Sequence, residues 1–301
     1  MKNTNYFLPL FIIIIFISIL AWSQVGSSPK VITDDLGRAI TIEKTPERIV
    51  SLSPSSTEIL FALGLGEKIV GVTKLCDYPL EAKEKEKIGG IVKPDIKKIL
   101  SLSPDLILVT TNHHQRRIIP KLEEKGLKVF ILAPKTLDGI FKDVILVGRI
   151  TEKERKATEI VSQMKRKLKA ITEKTRYIPE NQKPRVFWIA WPEPLWTIGE
   201  GTFTHDLILK AGGKNISWDI EGCKPICLDV VIKRNPQIII ASTAHGEPAK
   251  WAKNNLKNTD ACKNGRVYTI KTELVDRPGP RIVKGLEVLA KYIHPEIFGK
   301  P

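Results

Sequence analysis

Three groups of side chains in this sequence could do chemistry. Ser53, Ser55 and Ser56 crowd a strand-to-helix corner in "RIVSLSPSSTEILFALGLGEKIVG", Arg48 to Gly71. His113, His114 and His245 are three of only five histidines. Trp191, Trp196 and Phe203 share the Gly- and Pro-rich stretch "WPEPLWTIGEGTF". Serines at the carboxyl end of a strand serve as nucleophiles, phosphate cradles or helix caps. A nucleophile needs a G-x-S-x-G elbow or an S-x-x-K partner, and neither surrounds Ser53. A phosphate cradle needs G-x-x-x-x-G-K-[ST], which is absent, as is any H-E-x-x-H metal motif. Capping and ligand contact remain. Ser55 followed three residues later by Glu58 fits a capping box, with Ser55 the predicted N-cap. The same helix start would turn N–H donors and a positive dipole end outward, so Ser53, Ser55 and Ser56 are also candidate ligand contacts.

Large aromatics in a loop are costly to expose. Trp191, Trp196 and Phe203 therefore either pack on their own lobe or stack against a flat ligand. Tyr78 in "CDYPLEA" occupies the corresponding loop of the earlier half, whereas Trp188 lies inside a strand and reads as core. Arg277 and Arg281 in "DRPGPR" offer forked donors to carboxylate, phosphate or propionate groups; capping of the last helix is the alternative for Arg281. His113 and His245 each lie nine residues after a proline, Pro104 and Pro236. They could hydrogen-bond a ligand or coordinate its metal, or stand as polar loop residues in water. His205 at a helix start and His294 in the tail carry no assigned role.

The elements that must position these residues occur twice. "RIVSLS" and "STEILFALGLG" read as strand and helix, as do "RVFWIAW" and "THDLILKAGG". "DIKKILSLSPDLILVTT" and "CLDVVIKRNPQIIIAST" each read as short helix, proline corner and buried strand. A leading hairpin is predicted around Asp34-Asp35-Leu36-Gly37. Alternating strands and helices with unbroken aliphatic runs argue for parallel sheets covered on both faces. The fold class is thus α/β: two Rossmann-like lobes with parallel sheets. Between them, Ala157, Ile160, Val161, Met164, Leu168 and Ile171 recur at helical spacing with charge elsewhere. The expected organisation is an N-terminal lobe over 29–140, connecting helices over 141–178 and a C-terminal lobe over 183–301. The connector is a single long α-helix, a stiff strut, since a flexible linker would be rich in Gly and Ser. Open α/β lobes bind at the carboxyl ends of their strands, so two such lobes enclose one ligand cleft.

Composition narrows the class. The 301 residues are 42% hydrophobic, so a sizeable core is expected rather than disorder. The net charge is +15, but Lys and Arg are interleaved with Glu along helices ("EAKEKEK", "TEKERKATE"). Interleaving marks a solvated face and no nucleic-acid partner; anionic ligands or a membrane surface suit the charge better. The first 23 residues, with one Lys and an apolar run from Tyr6 to Leu20, read as a secretory signal cut after Ser23. An uncleaved anchor through residues 6–22 is the alternative. No Cys follows that run, which argues against a lipid anchor. Cys76, Cys223, Cys227 and Cys262 are in a compartment that permits disulfides, and a bridge from Cys223 or Cys227 to Cys262 is one pairing the sequence allows.

The stretches "TDDLGRAITIEKTPERIVSLSPSSTEILFALGLGEKIVGVT", "CDYPLEA", "KILSLSPDLIL", "PLWTIGEGTF", "LILKAGGKNI" and "DRPGPRIVKGLEVLAKYIHPEIF" resemble the substrate-binding proteins of ABC importers for cobalamin, haem and iron–siderophore complexes. The cobalamin-binding branch is the most similar. The resemblance implies an exported, periplasmic or extracytoplasmic monomer that is not an enzyme. It holds no resident cofactor: its cargo is a corrinoid such as cobalamin, or alternatively haem or an iron–siderophore. It also implies delivery to an ABC permease in the membrane, docked through one acidic residue per lobe. Alignment of "DIKKILSLSPDL" with "CLDVVIKRNPQI" puts those sites at Lys97 and Asp229, with Asp95 supplying the missing charge in the first lobe. Three places differ from the cobalamin pattern: Leu75 and Ile91 or Val92 stand where aromatics are common, and Pro225-Ile226 replaces Pro-Trp. An exported metal-dependent enzyme and an anchored sensor domain are the readings from other classes.

Overall fold

A computed structural model describes residues 29–110, 117–243 and 247–300. His113, His114, His245 and the predicted signal segment lie outside them. Among the described residues no helix is long and apolar enough to cross a membrane.

The chain opens with a hairpin of β1 (Lys30–Thr33) and β2 (Ala39–Ile42), antiparallel with Lys30 opposite Ile42. Its turn is the predicted one. The Asp34 carboxylate accepts from the Leu36 and Arg38 amides, each at 3.0 Å, and Gly37 supplies a positive φ of 78°. The first lobe then runs β3 (Ile49–Ser51), α1 (Pro54–Ala62), β4 (Ile69–Val72), α2 (Ile96–Ser101), β5 (Leu106–Thr110), α3 (Ile119–Glu123) and β6 (Val129–Leu132). Connecting helices α4 (Leu137–Ile150) and α5 (Glu154–Thr175) follow. The second lobe holds β7 (Arg185–Ile189), β8 (Trp196–Ile198), α6 (Phe203–Lys210), β9 (Lys214–Asn215), β10 (Cys223–Pro225) and α7 (Leu228–Arg234). After these come β11 (Ile238–Ser242), α8 (Pro248–Asn255), α9 (Asp260–Lys263), β12 (Val267–Ile270), α10 (Thr272–Val275), α11 (Ile282–Ile293) and α12 (Pro295–Phe298).

The two sheets are built alike. The first has strand order β4-β3-β5-β6 and the second β9-β7-β11-β12, every pair parallel. Counting only the strands of each four-stranded sheet in chain order, both read second, first, third, fourth. The first helices match as well. Ser53 and Thr202 are their N-caps, and Gly64 and Gly212, at φ 78° and 86°, follow their last turns. In both, the glycine N–H bonds back to the second residue from the end (Phe61, Leu209) and the next N–H to the third (Leu60, Ile208), as in a Schellman motif. The proline corners match too: Ser103 and Asn235, at φ 44° and 43°, turn the chain just before Pro104 and Pro236.

Strand alternation divides the core. Ile49, Leu106 and Leu108 face one cluster while Val50, Ile107 and Val109 face another. In the second lobe Val186, Trp188, Ile238 and Ile240 join the first of these clusters, and Phe187, Ile189, Ile239 and Ala241 form a third. One apolar core therefore runs through both lobes. It passes by way of α5, whose Ala157, Val161, Met164 and Ile171 are buried at the predicted helical spacing. At ~1.5 Å per residue, this unbroken 22-residue helix is about 33 Å long.

The hairpin is fastened to this frame through its turn. Lys142 on α4 reaches Asp35 Oδ1 at 2.6 Å, and the Ala133 amide donates to Asp35 Oδ2 at 2.7 Å. Neighbouring Asp143 is buried, and neither of its oxygens has a donor among the described residues. Burial, then the Asp35 charge, push its carboxyl up to about 9. It therefore keeps its proton at neutral pH and donates it to Asp35. Burial works against the Asp35 charge, yet the bonds from Lys142, Ala133 and Asp143 more than offset it and hold that carboxyl below its usual range.

Candidate functional site

The second lobe supplies an aromatic wall. Two residues past the end of β7, at Trp191, the chain turns back through Glu193-Pro194 so that the Trp196 amide donates to Trp191 O at 2.8 Å. β8 then pairs with β10, Trp196 opposite Pro225 and Ile198 opposite Cys223. Trp196 thus stands in a short strand rather than a loop. The Thr202 hydroxyl accepts from the His205 amide at 3.2 Å and starts α6, whose first residue is Phe203. Trp191, Trp196 and Phe203 line a cavity of about 790 Å³ with Pro194, Cys223 and Asp276. Trp188 forms its floor from the strand, only 1% exposed.

The first lobe supplies a hydroxyl wall. Ser53, not Ser55, is the N-cap of α1: its Oγ accepts from the Ser56 amide at 3.2 Å, and Pro54 takes the first helical position. The predicted capping box is corrected, because Glu58 reaches away from the helix start to the second lobe. Ser53 Oγ also accepts from the Thr110 amide at 3.2 Å, tying α1 to the end of β5. Ser56 is wholly buried and donates to Ser53 O at 3.1 Å, so it does not reach the cleft. Ser53 and Ser55 line a second cavity, of about 390 Å³, with Leu75, Ile91 and Thr110. The enclosed Oγ1 of Thr110 has no partner among the described residues. Phe203 and Asp276 border both cavities, so the two form one cleft between the lobes.

Charge gathers at the base of that cleft. Asp276 is open to water yet surrounded by protein on most sides. That burial pushes its carboxyl up to about 6, against the opposing pull of Ser242 and Arg277. Arg277 donates to Asp77 at 2.6 Å and to Glu58 at 3.3 Å. Arg281 grips Glu58 as a fork, Nε to Oε2 at 2.9 Å and Nη2 to Oε1 at 2.6 Å. It does not cap α11; although it occupies the position before that helix, its side chain makes no capping bond. Burial alone would loosen the protons of Arg277 and Arg281, but Asp77 for the first and Glu58 for the second more than offset it, and both are held above the usual range. The Arg281 guanidinium lies 3.7 Å from the centre of the Tyr78 ring. Tyr78 accordingly lines another cavity, of about 850 Å³, bounded by Glu58, Phe61, Pro79, Pro280 and Arg281.

Sequence reasoning overlooked Asp276 and misread Glu58. A signal existed for Glu58: it heads the apolar run "EILFALGLG", and a carboxylate on a buried helix face demands a buried cation. Nothing in the sequence set Asp276 apart from the arginine beside it. Asp95 caps α2, accepting from the Lys98 amide at 3.1 Å, while Asp229 is exposed in the first turn of α7. Asp95 thus precedes its helix as N-cap, whereas Asp229 is the second residue of α7, the place that Lys97 holds in α2. All four cysteines are free. Cys262 is tucked among apolar residues and donates to Ala252 O at 3.6 Å, while Cys223 and Cys227 are exposed.

Comparisons with known proteins agree with this architecture. Residues 49–274 match the family described as periplasmic binding protein. An uncharacterized ABC transporter substrate-binding lipoprotein of Bacillus subtilis (strain 168) is 34% identical over 274 residues, covering 90% of this chain and 87% of the relative. The vitamin B12-binding protein of Vibrio cholerae serotype O1 is 30% identical over 251 residues, covering 82% of this chain and 89% of the relative. Among solved structures, a possible iron-binding (periplasmic solute-binding) protein from Staphylococcus epidermidis ATCC 12228 superposes with a TM-score of 0.72 at 31% identity, covering 83% of this chain and 100% of that one.

Proposed function

We propose that this chain, which belongs to the periplasmic binding protein family, captures a corrinoid outside the cytoplasm and hands it to an ABC permease. The observation that carries the reading is the cleft itself. Trp191, Trp196 and Phe203 face Ser53 and Ser55 across contiguous cavities of about 790 and 390 Å³. A broad, largely apolar macrocycle rimmed with amide groups suits one aromatic wall and one hydroxyl wall. Enclosing about 400 Å² of apolar ligand surface would contribute roughly 10 kcal/mol at ~25 cal/mol/Å². Association opposes this by about 4–15 kcal/mol, so tight capture needs lobes already held in place. The name of the Vibrio cholerae relative supports the same cargo. Both arginines near the cleft are already paired with carboxylates, which favours a corrinoid over a ligand recognised through its acid groups. Asp95, the cap of α2, and Asp229, in the first turn of α7, are the proposed permease contacts, and residues 1–23 the proposed export signal.

An iron complex is the second reading. The net charge of +15 would draw anionic chelates, and the Staphylococcus epidermidis structure carries an iron-binding description. Titration of the purified protein with cobalamin, cobinamide, haemin and ferric siderophores, followed by visible absorption and tryptophan fluorescence, separates the two. Cobalamin and cobinamide are expected to bind, and Trp196→Ala to weaken them by about 30-fold or more with circular dichroism unchanged. No corrinoid binding at micromolar concentration, with haemin or a ferric chelate bound instead, overturns the proposal.

A further inference from the structure

Four charged residues join the lobes where the chain passes from α10 to α11. Glu58 and Asp77 come from the first lobe, Arg277 and Arg281 from the second, and their formal charges sum to zero. The side chains of Glu58, Arg281 and Arg277 are 2%, 14% and 17% exposed, whereas Asp77 is 52% exposed. The backbone between the arginines also lies against α1: a Cβ on Gly279 would sit 3.6 Å from Ser55 O and 3.9 Å from Glu58 Cβ. On one side of this cluster is the ligand cleft, bordered by Asp77 and Arg277. On the other is the cavity of about 850 Å³ bordered by Glu58, Tyr78 and Arg281. The cluster is therefore the wall between two cavities as well as a tie between two lobes.

We propose that Glu58, Arg281, Arg277 and Asp77 form an interlobe clasp that sets the width of the cleft and seals its back wall, with Glu58–Arg281 as the inner bond and Arg277–Asp77 as the outer one. The two bonds differ in kind. The outer one faces water, where an ion pair is screened and contributes little. The inner one is a buried fork, stacked on Tyr78. Removing either partner strands a charge in a place with little water to receive it. Separating the lobes at this edge thus requires Glu58 and Arg281 to part together. Their other attachments, the α5 rod and the bond from the Leu137 amide to Asp206 at 2.8 Å, lie elsewhere in the frame. Glu58 acts here as a positioning residue: it touches no ligand-facing cavity wall on the cleft side and works through the two arginines.

The test needs no ligand, so its result is independent of the cargo. Hydrogen exchange and small-angle scattering are measured on the whole soluble chain for wild type, Arg281→Gln, Glu58→Gln, the double variant Glu58→Gln/Arg281→Gln and Asp77→Asn. Arg281→Gln should speed exchange over residues 77–85 and 276–282 on the order of tenfold and raise the radius of gyration. Exchange in β5 and β11, at the centre of each sheet, should stay as in wild type. The double variant should be no worse than Arg281→Gln alone, because removing the Glu58 charge as well leaves no carboxylate stranded beside the lost arginine. Asp77→Asn should remain within about twofold of wild type at physiological salt. Should Glu58→Gln fail to fold, Arg281→Gln with Arg277→Gln carries the same comparison, since neither arginine belongs to a sheet. The proposal is overturned if Arg281→Gln leaves both segments and the scattering unchanged. It is equally overturned if exchange rises throughout β5 and β11 instead, which would mark a residue that merely stabilises the fold.

Discussion

Asp276 shows how a single residue can make the cleft sensitive to pH. It borders both cavities, and its carboxyl titrates near 6 rather than near 4 because protein surrounds it. A ligand seated on the aromatic wall removes more water from it and favours the neutral form further. Binding should therefore take up a proton, and affinity should fall as pH rises from 5 to 8. Asp276→Asn should flatten that profile. Isothermal titration in buffers of different ionisation enthalpy checks both statements; an affinity that rises with pH would mean that the ligand donates hydrogen bonds to the ionised carboxylate. At this scale the sequence was least legible. It brought Trp191, Trp196, Phe203, Ser53 and Ser55 forward by their place after strands, and all of them border the cleft. Arg277, also brought forward, borders the cleft while bound to Glu58 and Asp77, whereas Ser56 and Tyr78 are placed in the α1 corner and against Arg281. Ser56 is withdrawn by bonds to Ser53 three residues away, but Tyr78 and Arg277 depend on partners some 200 positions along the chain, as from Asp77 to Arg277, and no local spacing encodes that.

The elements carry the clearest sequence signals, because caps, turns and periodicity are local. The repeated strand–helix–proline-corner plan, the hairpin turn at Asp34–Gly37 and the long rod between the lobes all stand in the structure, with the rod set at Glu154–Thr175. The correction from Ser55 to Ser53 as cap turns on one fact: Pro54 favours the first helical position, which leaves the residue before it to cap. The exchange has a measurable consequence. Ser53→Ala removes an acceptor from two amides, those of Ser56 and Thr110, and should cost about 2 kcal/mol in urea unfolding. Ser55→Ala should leave the unfolding midpoint close to wild type while weakening ligand binding. Equal losses from the two would return the capping role to Ser55. The hairpin gives the second test at this scale. Asp143 has a folded pKa of about 9, raised above its unfolded value near 4. Its contribution to stability is thus complete below about pH 4 and declines as pH rises toward 9. Asp143→Asn can still donate to Asp35 but cannot ionise. It should match or exceed wild type at pH 8 by on the order of 1–3 kcal/mol, with the gap closing toward pH 4. A gap that widens in acid would show that Asp143 is ionised in the native protein.

At the scale of the whole molecule, the question is how far the lobes move. Two lobes on a flexible linker would swing through a wide angle on capture. Here the linker is a helix whose inner face is buried in a core shared by both lobes. The Leu137–Asp206 bond and the clasp add attachments outside that helix. Packed cores resist continuous deformation, so closure must be taken up by loops at the cleft rim rather than by the frame. Saturating the protein with cobalamin, or with the iron complex if that proves to be the cargo, should therefore lower the radius of gyration by less than about 1 Å. Exchange protection should appear around Trp191–Phe203 and Leu75–Ile91 while β5, β11 and α5 stay unchanged. A contraction of several ångströms would mean that the rod bends or the core between the lobes parts. The preorganised cleft that tight capture requires would then have to be assembled by the ligand, at the expense of its affinity.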